Sequence, residues 1–166
     1  MVPQAAGRDL IRGSSVQRYQ AIAKLGKAER LAEIRDLATA RDELSANTLV
    51  EVLILDSDVT ARRIAVTALG NLRSELAVDG LEAALGDRDR SVRIQALRGL
   101  RMVLAKNATS ILAEVVASDP DPVVRRTAVE LAAGLRSSAA REVLELGSLD
   151  VDPSVRDAVN AGRRRR

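Results

Sequence analysis

Aspartate and arginine side chains recur as a spaced set four times along this 166-residue chain. In each copy two aspartates stand six and four positions before an arginine, and the arginines follow one another at intervals of 31, 32 and 31 residues. The first aspartate and the arginine of the copies are Asp56 and Arg62, Asp87 and Arg93, Asp119 and Arg125, and Asp150 and Arg156. Such groups could serve acid–base chemistry. A protein needs a catalytic site only once, however, whereas contacts between stacked repeats are needed in every repeat. We therefore predict that they form ion pairs that hold a repeated structure together.

Other side chains offer little chemistry. The Asp-x-Asp spacing could suggest calcium, but the segments lack the glycine and the distal glutamate of an EF-hand loop. The chain has no His and no Cys, so it offers no histidine acid–base group, no thiol and no transition-metal site, and Tyr19 is its only aromatic residue. No glycine-rich phosphate loop is present. We predict a protein that is not an enzyme and holds no cofactor or metal.

The surroundings of each copy favour helices. The second aspartate stands where a helix N-cap is wanted, and in two copies a proline follows it at once. Apolar residues then recur at helical spacing, and Gly70, Gly99 and Gly134 are expected where these helices turn back. A fixed period between 20 and 50 residues is typical of a solenoid. The predicted fold is all-α, a right-handed α-solenoid of about five helix-turn-helix repeats.

The two ends of the chain depart from the regular pattern. We predict a lead-in over residues 1–13, an irregular N-terminal part of the solenoid over 14–55, regular repeats over 56–162 and a basic tail over 163–166 that is disordered rather than helical. In the irregular part, Arg18 is matched with Arg62. The longer interval between them, 44 residues, predicts one extra helix over 28–40.

The positive charge of the protein is concentrated in the tail. The net charge is +3 and the last four residues are all arginine, so residues 1–162 carry a net charge of −1. No apolar run is long enough to cross a bilayer, and the first residues have no apolar core of a signal peptide. We therefore expect a cytoplasmic protein without membrane contact.

The phrase D-x-D-x-x-V-R-x-x-A, repeated in register at this period, resembles the HEAT-like repeats, in particular the short repeats named after phycobilisome bilin lyases. The resemblance implies a hydrogen-bonded ladder between neighbouring repeats, made of Asp56, Asp87, Asp119 and Asp150 with Arg62, Arg93, Arg125 and Arg156. It also implies that the second helix of each repeat lines a concave face. Family members are mostly protein-interaction scaffolds, while some bind nucleic acid and some are subunits of lyases or helpers of cofactor enzymes.

The exposed side chains of the second helices are the candidate partner-binding residues. Positions one and five after each ladder arginine point away from the apolar stripe, and exposed arginine is enriched at recognition surfaces. The candidates are Arg63, Arg98, Arg126 and Glu130 at these positions, together with Arg101, which lies close to them. We predict a non-catalytic scaffold that binds a protein partner through its concave face. The alternatives are a nucleic-acid-binding protein that uses these arginines and the tail, and an accessory subunit or chaperone of a lyase or other modifying enzyme.

Overall fold

The computed structural model describes residues 4–73 and 75–164, with side chains from residue 14 onward. Its α-helices are α1 (Gln4–Ala23), α2 (Lys27–Ala40), α3 (Glu43–Leu55), α4 (Val59–Leu72), α5 (Val78–Ala84), α6 (Arg90–Leu104), α7 (Thr109–Ser118), α8 (Pro122–Ala133), α9 (Ser138–Ser148) and α10 (Pro153–Arg164). Short 3₁₀ turns at Glu75–Ala77 and Ala105–Ala108 precede α5 and α7. These two ranges contain no β-strand, so the predicted all-α class is confirmed.

The second aspartate of each copy caps a helix, as the sequence predicted. Asp58, Asp89, Asp121 and Asp152 each accept a hydrogen bond, 2.8 Å long, from the backbone N–H two residues further on. Pro122 and Pro153 take the first helical position, where a missing N–H leaves no helical hydrogen bond unmade. Of the ten α-helices within residues 4–73 and 75–164, four therefore begin at the points that the repeated phrase marks.

In the part of the chain that the structure describes, the helices follow one another as five pairs, from α1–α2 to α9–α10. The predicted extra helix over 28–40 is α2, and it is the second helix of the first pair rather than an insertion. Helix α1 begins at Gln4, within the range of the predicted lead-in over residues 1–13. At the other end α10 continues to Arg164, so Arg163 and Arg164 are helical and not disordered as expected. Arg165 and Arg166 lie outside the described residues.

The chain divides into two compact units, Met1–Gly99 and Leu100–Arg166. In the first unit α1 packs on α3, α2 packs on α4, and α3 packs on α4. In the second unit α7 packs on α9, α8 packs on α10, and α7 packs on α8. In both units first helices thus pack on first helices and second helices on second helices, which is how stacked repeats bury their apolar faces.

Aliphatic side chains at the repeat period fill the interior. Ile34, Val66, Leu97 and Val129 recur at the spacing of the charged phrase and all are fully buried. Burial of such a side chain stabilises the fold by about 1.5–3 kcal/mol. The period is therefore set by the core as well as by the charged phrase.

Two of the three glycines predicted at turns have another role. Gly70 and Gly99 lie buried inside α4 and α6, and a Cβ on Gly70 would come within 2.9 Å of the Gly99 Cα. These glycines let two helix backbones approach closely. Helix α4 ends instead at Arg73, whose φ of 49° is left-handed, whereas Gly134 does cap α8 as predicted.

Candidate functional site

The Arg62 side chain of α4 joins two successive repeats of the first unit. Its guanidinium donates from Nε to Asp87 Oδ2 at 2.7 Å and from Nη2 to Asp87 Oδ1 at 3.1 Å. The third nitrogen, Nη1, donates to the backbone carbonyl oxygens of Asp56 and Ser57 at 3.0 and 3.1 Å. The Arg62 and Asp87 side chains are only 5% and 7% exposed. The bidentate bond to the carboxylate raises the pKa of Arg62 above its ordinary value.

The same arrangement recurs in the second unit with Arg125 of α8. Its Nε and Nη2 donate to Asp150 Oδ2 and Oδ1 at 2.7 and 2.9 Å, and its Nη1 donates to the Asp119 carbonyl at 2.9 Å. The hydrogen bond from Arg125 holds the pKa of Asp150 below its ordinary value. In both units an arginine thus spans 25 residues of sequence to bind the turn aspartate of the next repeat.

The first aspartate of each copy also fixes its own turn. Oδ1 of Asp56, Asp87, Asp119 and Asp150 accepts a hydrogen bond of 2.8–2.9 Å from the N–H of the second aspartate. Arg93 and Arg156 donate from Nη1 to the carbonyl oxygens of Asp87 and Asp150 in their own copies, at 2.9 and 2.6 Å. All eight residues of the predicted ladder thus lie at these turns, and among them Arg62 and Arg125 bind the turn aspartate of the next repeat.

The first repeat supplies a ladder arginine that the sequence analysis missed. Arg18, matched there with Arg62, is exposed on α1, with Nη1 3.4 Å from Ser45 Oγ. The corresponding residue is Arg30 of α2, whose Nε lies 3.6 Å from Asp56 Oδ2. Arg30 precedes Arg62 by one full repeat period, so counting back by one period from Arg62 would have identified it. Gly26 stands at the N-cap position, where the four copies of the phrase have their second aspartate. The first repeat therefore lacks the charged phrase by which the other repeats are recognised.

The lone aromatic residue belongs to the interior of the first unit. Tyr19 on α1 is 7% exposed, and the Asp56 side chain is fully buried. Burial, and next to it the negative charge of Asp56, raise the pKa of the Tyr19 hydroxyl. Tyr19, Asp56 and Arg30 therefore form a polar cluster in the first unit.

The five candidate partner-binding residues are divided between the two units. Arg63 and Arg98 belong to the first unit and are exposed. Arg101 and Arg126 belong to the second and are partly buried, while Glu130 is exposed and its Oε1 lies 3.5 Å from Arg126 Nε. Within the described chain, Arg63 and Arg98 have no carboxylate at ion-pair distance, so they differ from Arg126.

Arg63 lines a groove of the first unit that lies between α2, α4 and α6. This groove, called the arginine groove below, has a volume of about 360 Å³. Its other lining residues are Arg35, Ala38, Thr60, Ile64, Thr67, Ala68, Asn71 and Gln95. Arg35 was not among the candidates, yet it lies five positions after Arg30, as Arg98 lies five positions after Arg93. The rule that selected Arg98 selects Arg35 once the first repeat is placed correctly.

Exposed apolar side chains cluster at the turns rather than in the arginine groove. Ile54 and Leu55 are 58% and 51% exposed and line a cavity of about 470 Å³ beside Asp56 and Arg62. In the second unit Leu149 and Val151 hold similar places beside Asp150 and are 83% and 89% exposed. In each unit the turns, called the turn edge below, thus offer a second accessible surface with an apolar character.

Two further findings bear on the expected absences. Among the residues that the structure describes, no three His, Cys, Asp or Glu side chains are grouped so that they could hold a metal ion. Across the same residues, none of the helices has both the length and the apolar character that spanning a bilayer requires.

The fold and the turn contacts define an all-α protein built from helix-turn-helix repeats. The family model for HEAT repeats matches residues 17–101, 46–133 and 78–161. The protein therefore belongs to the HEAT-repeat family, and the resemblance predicted from the repeated phrase is confirmed.

A solved structure carries the comparison further. The chain is similar to a chain in the complex of CpcE and CpcF of phycocyanin lyase from Nostoc sp. PCC7120, with 29% sequence identity and a TM-score of 0.53. The match covers 73% of this protein and 77% of that chain. A search of the curated proteins found no match.

Proposed function

We propose that this protein is a non-catalytic repeat scaffold that binds a protein partner. The observation that carries the proposal is the likeness to a chain that works in a complex of two proteins, CpcE and CpcF, because it extends over most of both chains. The chemistry of the site supports it. The repeated aspartates and arginines are engaged with one another and with the backbone, and two exposed arginines, Arg35 and Arg63, line an open groove.

The same likeness favours a more specific version, in which the protein is an accessory subunit of a lyase or another modifying enzyme. CpcE and CpcF are described as a complex of phycocyanin lyase. An accessory subunit would supply binding surface while its partner or their joint interface supplies reactive groups. This version predicts that activity appears only in the complex.

A tagged full-length chain, expressed in its native cells and purified under mild conditions, tests both versions. We expect a partner to co-purify at fixed stoichiometry and the complex to keep a single mass in size-exclusion chromatography with light scattering. For the accessory role we expect enzyme activity from the complex and none from this chain alone. A chain that stays monomeric and captures no stoichiometric partner would contradict the scaffold function.

Nucleic acid is the competing partner that the same preparation must test. Four phosphate contacts by the arginines of the tail would give a slope of log affinity against log salt of about −3.6. We expect weak duplex binding of this kind that disappears in a chain ending at Gly162. Sequence-selective binding that survives this truncation and about 0.2 M salt would favour a nucleic-acid function instead.

A further inference from the structure

The arginine groove carries positive charge without a counter-charge. Arg35 on α2 and Arg63 on α4 both line it and both are exposed, and none of the nine lining residues is acidic. In the part of the chain that the structure describes, neither guanidinium has a carboxylate at ion-pair distance. The neighbouring Arg62, by contrast, is bound by Asp87 on the turn side of the same helix. The groove arginines thus keep their donors free for a ligand.

The other lining groups match a polypeptide. Asn71 and Gln95 offer amides that both donate and accept hydrogen bonds, as a peptide backbone requires. Ile64 and Ala68 add apolar surface to the lining. Guanidinium groups bind carboxylates through paired, parallel hydrogen bonds. The positive charge of the groove and its amide side chains together favour an extended polypeptide that bears carboxylates as the ligand.

A nucleic acid fits this groove less well. Duplex binders neutralise a row of phosphates, and single-strand binders stack bases on aromatic side chains. The groove has two arginines along its lining, and Tyr19, the only aromatic residue of the chain, is buried. The apolar lining residues Ile64 and Ala68 also offer no hydrogen-bond donor to a phosphate from their side chains.

We propose that the arginine groove binds an acidic segment of the partner protein, with Arg35 and Arg63 pairing with its carboxylates. This inference rests on the proposed scaffold function and names the chemistry of the partner. Arg98 lies one helical turn after Gln95 on α6 and is exposed, so it extends the same basic surface along the bound segment.

Fluorescence anisotropy with the full-length chain tests the proposal. The probes are a labelled peptide of alternating glutamate and alanine, its counterpart with glutamine in place of glutamate, and a single-stranded DNA oligonucleotide. We expect the glutamate peptide to bind at least about tenfold more tightly than the glutamine peptide. The Arg35→Gln/Arg63→Gln double variant should lose about tenfold or more of that affinity. Both arginines are exposed, and thermal melting checks that the variant is folded.

The matched control removes two positive charges elsewhere. Arg136 and Arg141 are exposed, and replacing both by Gln should change the affinity by less than about twofold. If the two double variants lose the same affinity for the glutamate peptide, the binding depends only on the net charge of the protein, and the proposal is overturned. Equal binding of the two peptides would also overturn it. DNA that binds more tightly than the glutamate peptide, and depends on Arg35 and Arg63, would assign the groove to nucleic acid.

The native partner separates this proposal from the function on which it rests. If a stoichiometric partner is captured and the groove double variant retains it at unchanged affinity, the scaffold function stands and the groove assignment fails. If neither the wild-type chain nor any variant forms a complex, the scaffold function itself fails.

Discussion

Arg62 and Arg63 are neighbours in α4 and have opposite surroundings. Arg62 points to the turn edge, where it is 4% exposed and its three guanidinium nitrogens all donate hydrogen bonds. Arg63 points to the arginine groove, is exposed, and has no carboxylate partner among the described residues. A rotation of one residue along a helix, about 100°, separates an arginine that stabilises the repeat from one that is available to a ligand.

The same difference distinguishes the turn edge and the groove in chemistry. At the turn edge Arg62 and Arg125 pair with aspartates of the chain, so arginine there stabilises the stacking of the repeats. In the groove Arg35 and Arg63 have no carboxylate partner among the described residues, so arginine there is available to bind a ligand. Arginine therefore has two different roles in this protein. Substitutions at the turn edge should lower stability, and substitutions in the groove should lower binding.

The largest effect should come from breaking the bond of Arg62. Replacement by Ala leaves the Asp87 carboxylate, which is 7% exposed, without its cation and should reduce the free energy of unfolding by about 3–5 kcal/mol. Arg98→Ala, on an exposed position of α6, should change it by no more than about 0.5 kcal/mol. Urea denaturation measures both values. Equal losses would show that the turn pair has no structural role.

A smaller, pH-dependent effect should come from Asp150. Its folded pKa is lowered by the hydrogen bond from Arg125, so the stability that it contributes is complete above the unfolded pKa of about 3.9 and disappears as the pH falls through the folded pKa. Asp150→Asn should therefore cost about 1.5–3 kcal/mol at pH 7. The difference from the wild-type chain should shrink as the pH falls below about 4.

Acid titration of the unfolding free energy checks this sign. A gap between Asp150→Asn and the wild-type chain that stays constant from neutral pH to about pH 2 would show that the carboxylate charge is not what Arg125 binds. Asp157→Asn is the matched control, because Asp157 is exposed on α10 and lies away from the turn. It should change stability by no more than about 0.5 kcal/mol at neutral pH.

The first repeat should show an intermediate cost. Arg30 Nε lies 3.6 Å from Asp56 Oδ2, compared with 2.7 Å for the Arg62–Asp87 bond, so the charges meet without a hydrogen bond at that atom. Arg30→Ala should lower the free energy of unfolding by about 1–2 kcal/mol, between the values for exposed and fully buried pairs. A loss as large as that of Arg62→Ala in the same urea titration would contradict this ranking.

Much of the fold follows from the sequence because two independent patterns, one charged and one aliphatic, recur with the same period. The charged phrase places four helix starts, and the aliphatic residues that recur with the same period place the core. The first repeat was misaligned because Gly26 stands where the phrase has its N-cap aspartate. The core period would have corrected it, since Ile34 lies one full period before Val66.

Other features depend on packing that no local pattern reveals. Gly70 and Gly99 looked like turn residues, but the contact between them needs two helices that are distant in sequence to meet at these positions. The arginine groove likewise draws its lining from three helices. Sequence spacing selected Arg63 and Arg98 as exposed, but only the packed helices show that Arg35 lines the same groove as Arg63.

The smallest effect on stability should come from the groove itself. Arg35→Ala and Arg63→Ala remove exposed side chains that have no described ion pair, so each should change the free energy of unfolding by no more than about 0.5 kcal/mol. The double variant should likewise change it by no more than about 1 kcal/mol, twice the limit for one exposed side chain. Differential scanning calorimetry, with Arg62→Ala as the destabilised reference, measures these shifts. A loss of several kcal/mol in the double variant would mean that the groove arginines stabilise the repeats, and the contrast between Arg62 and Arg63 would then disappear.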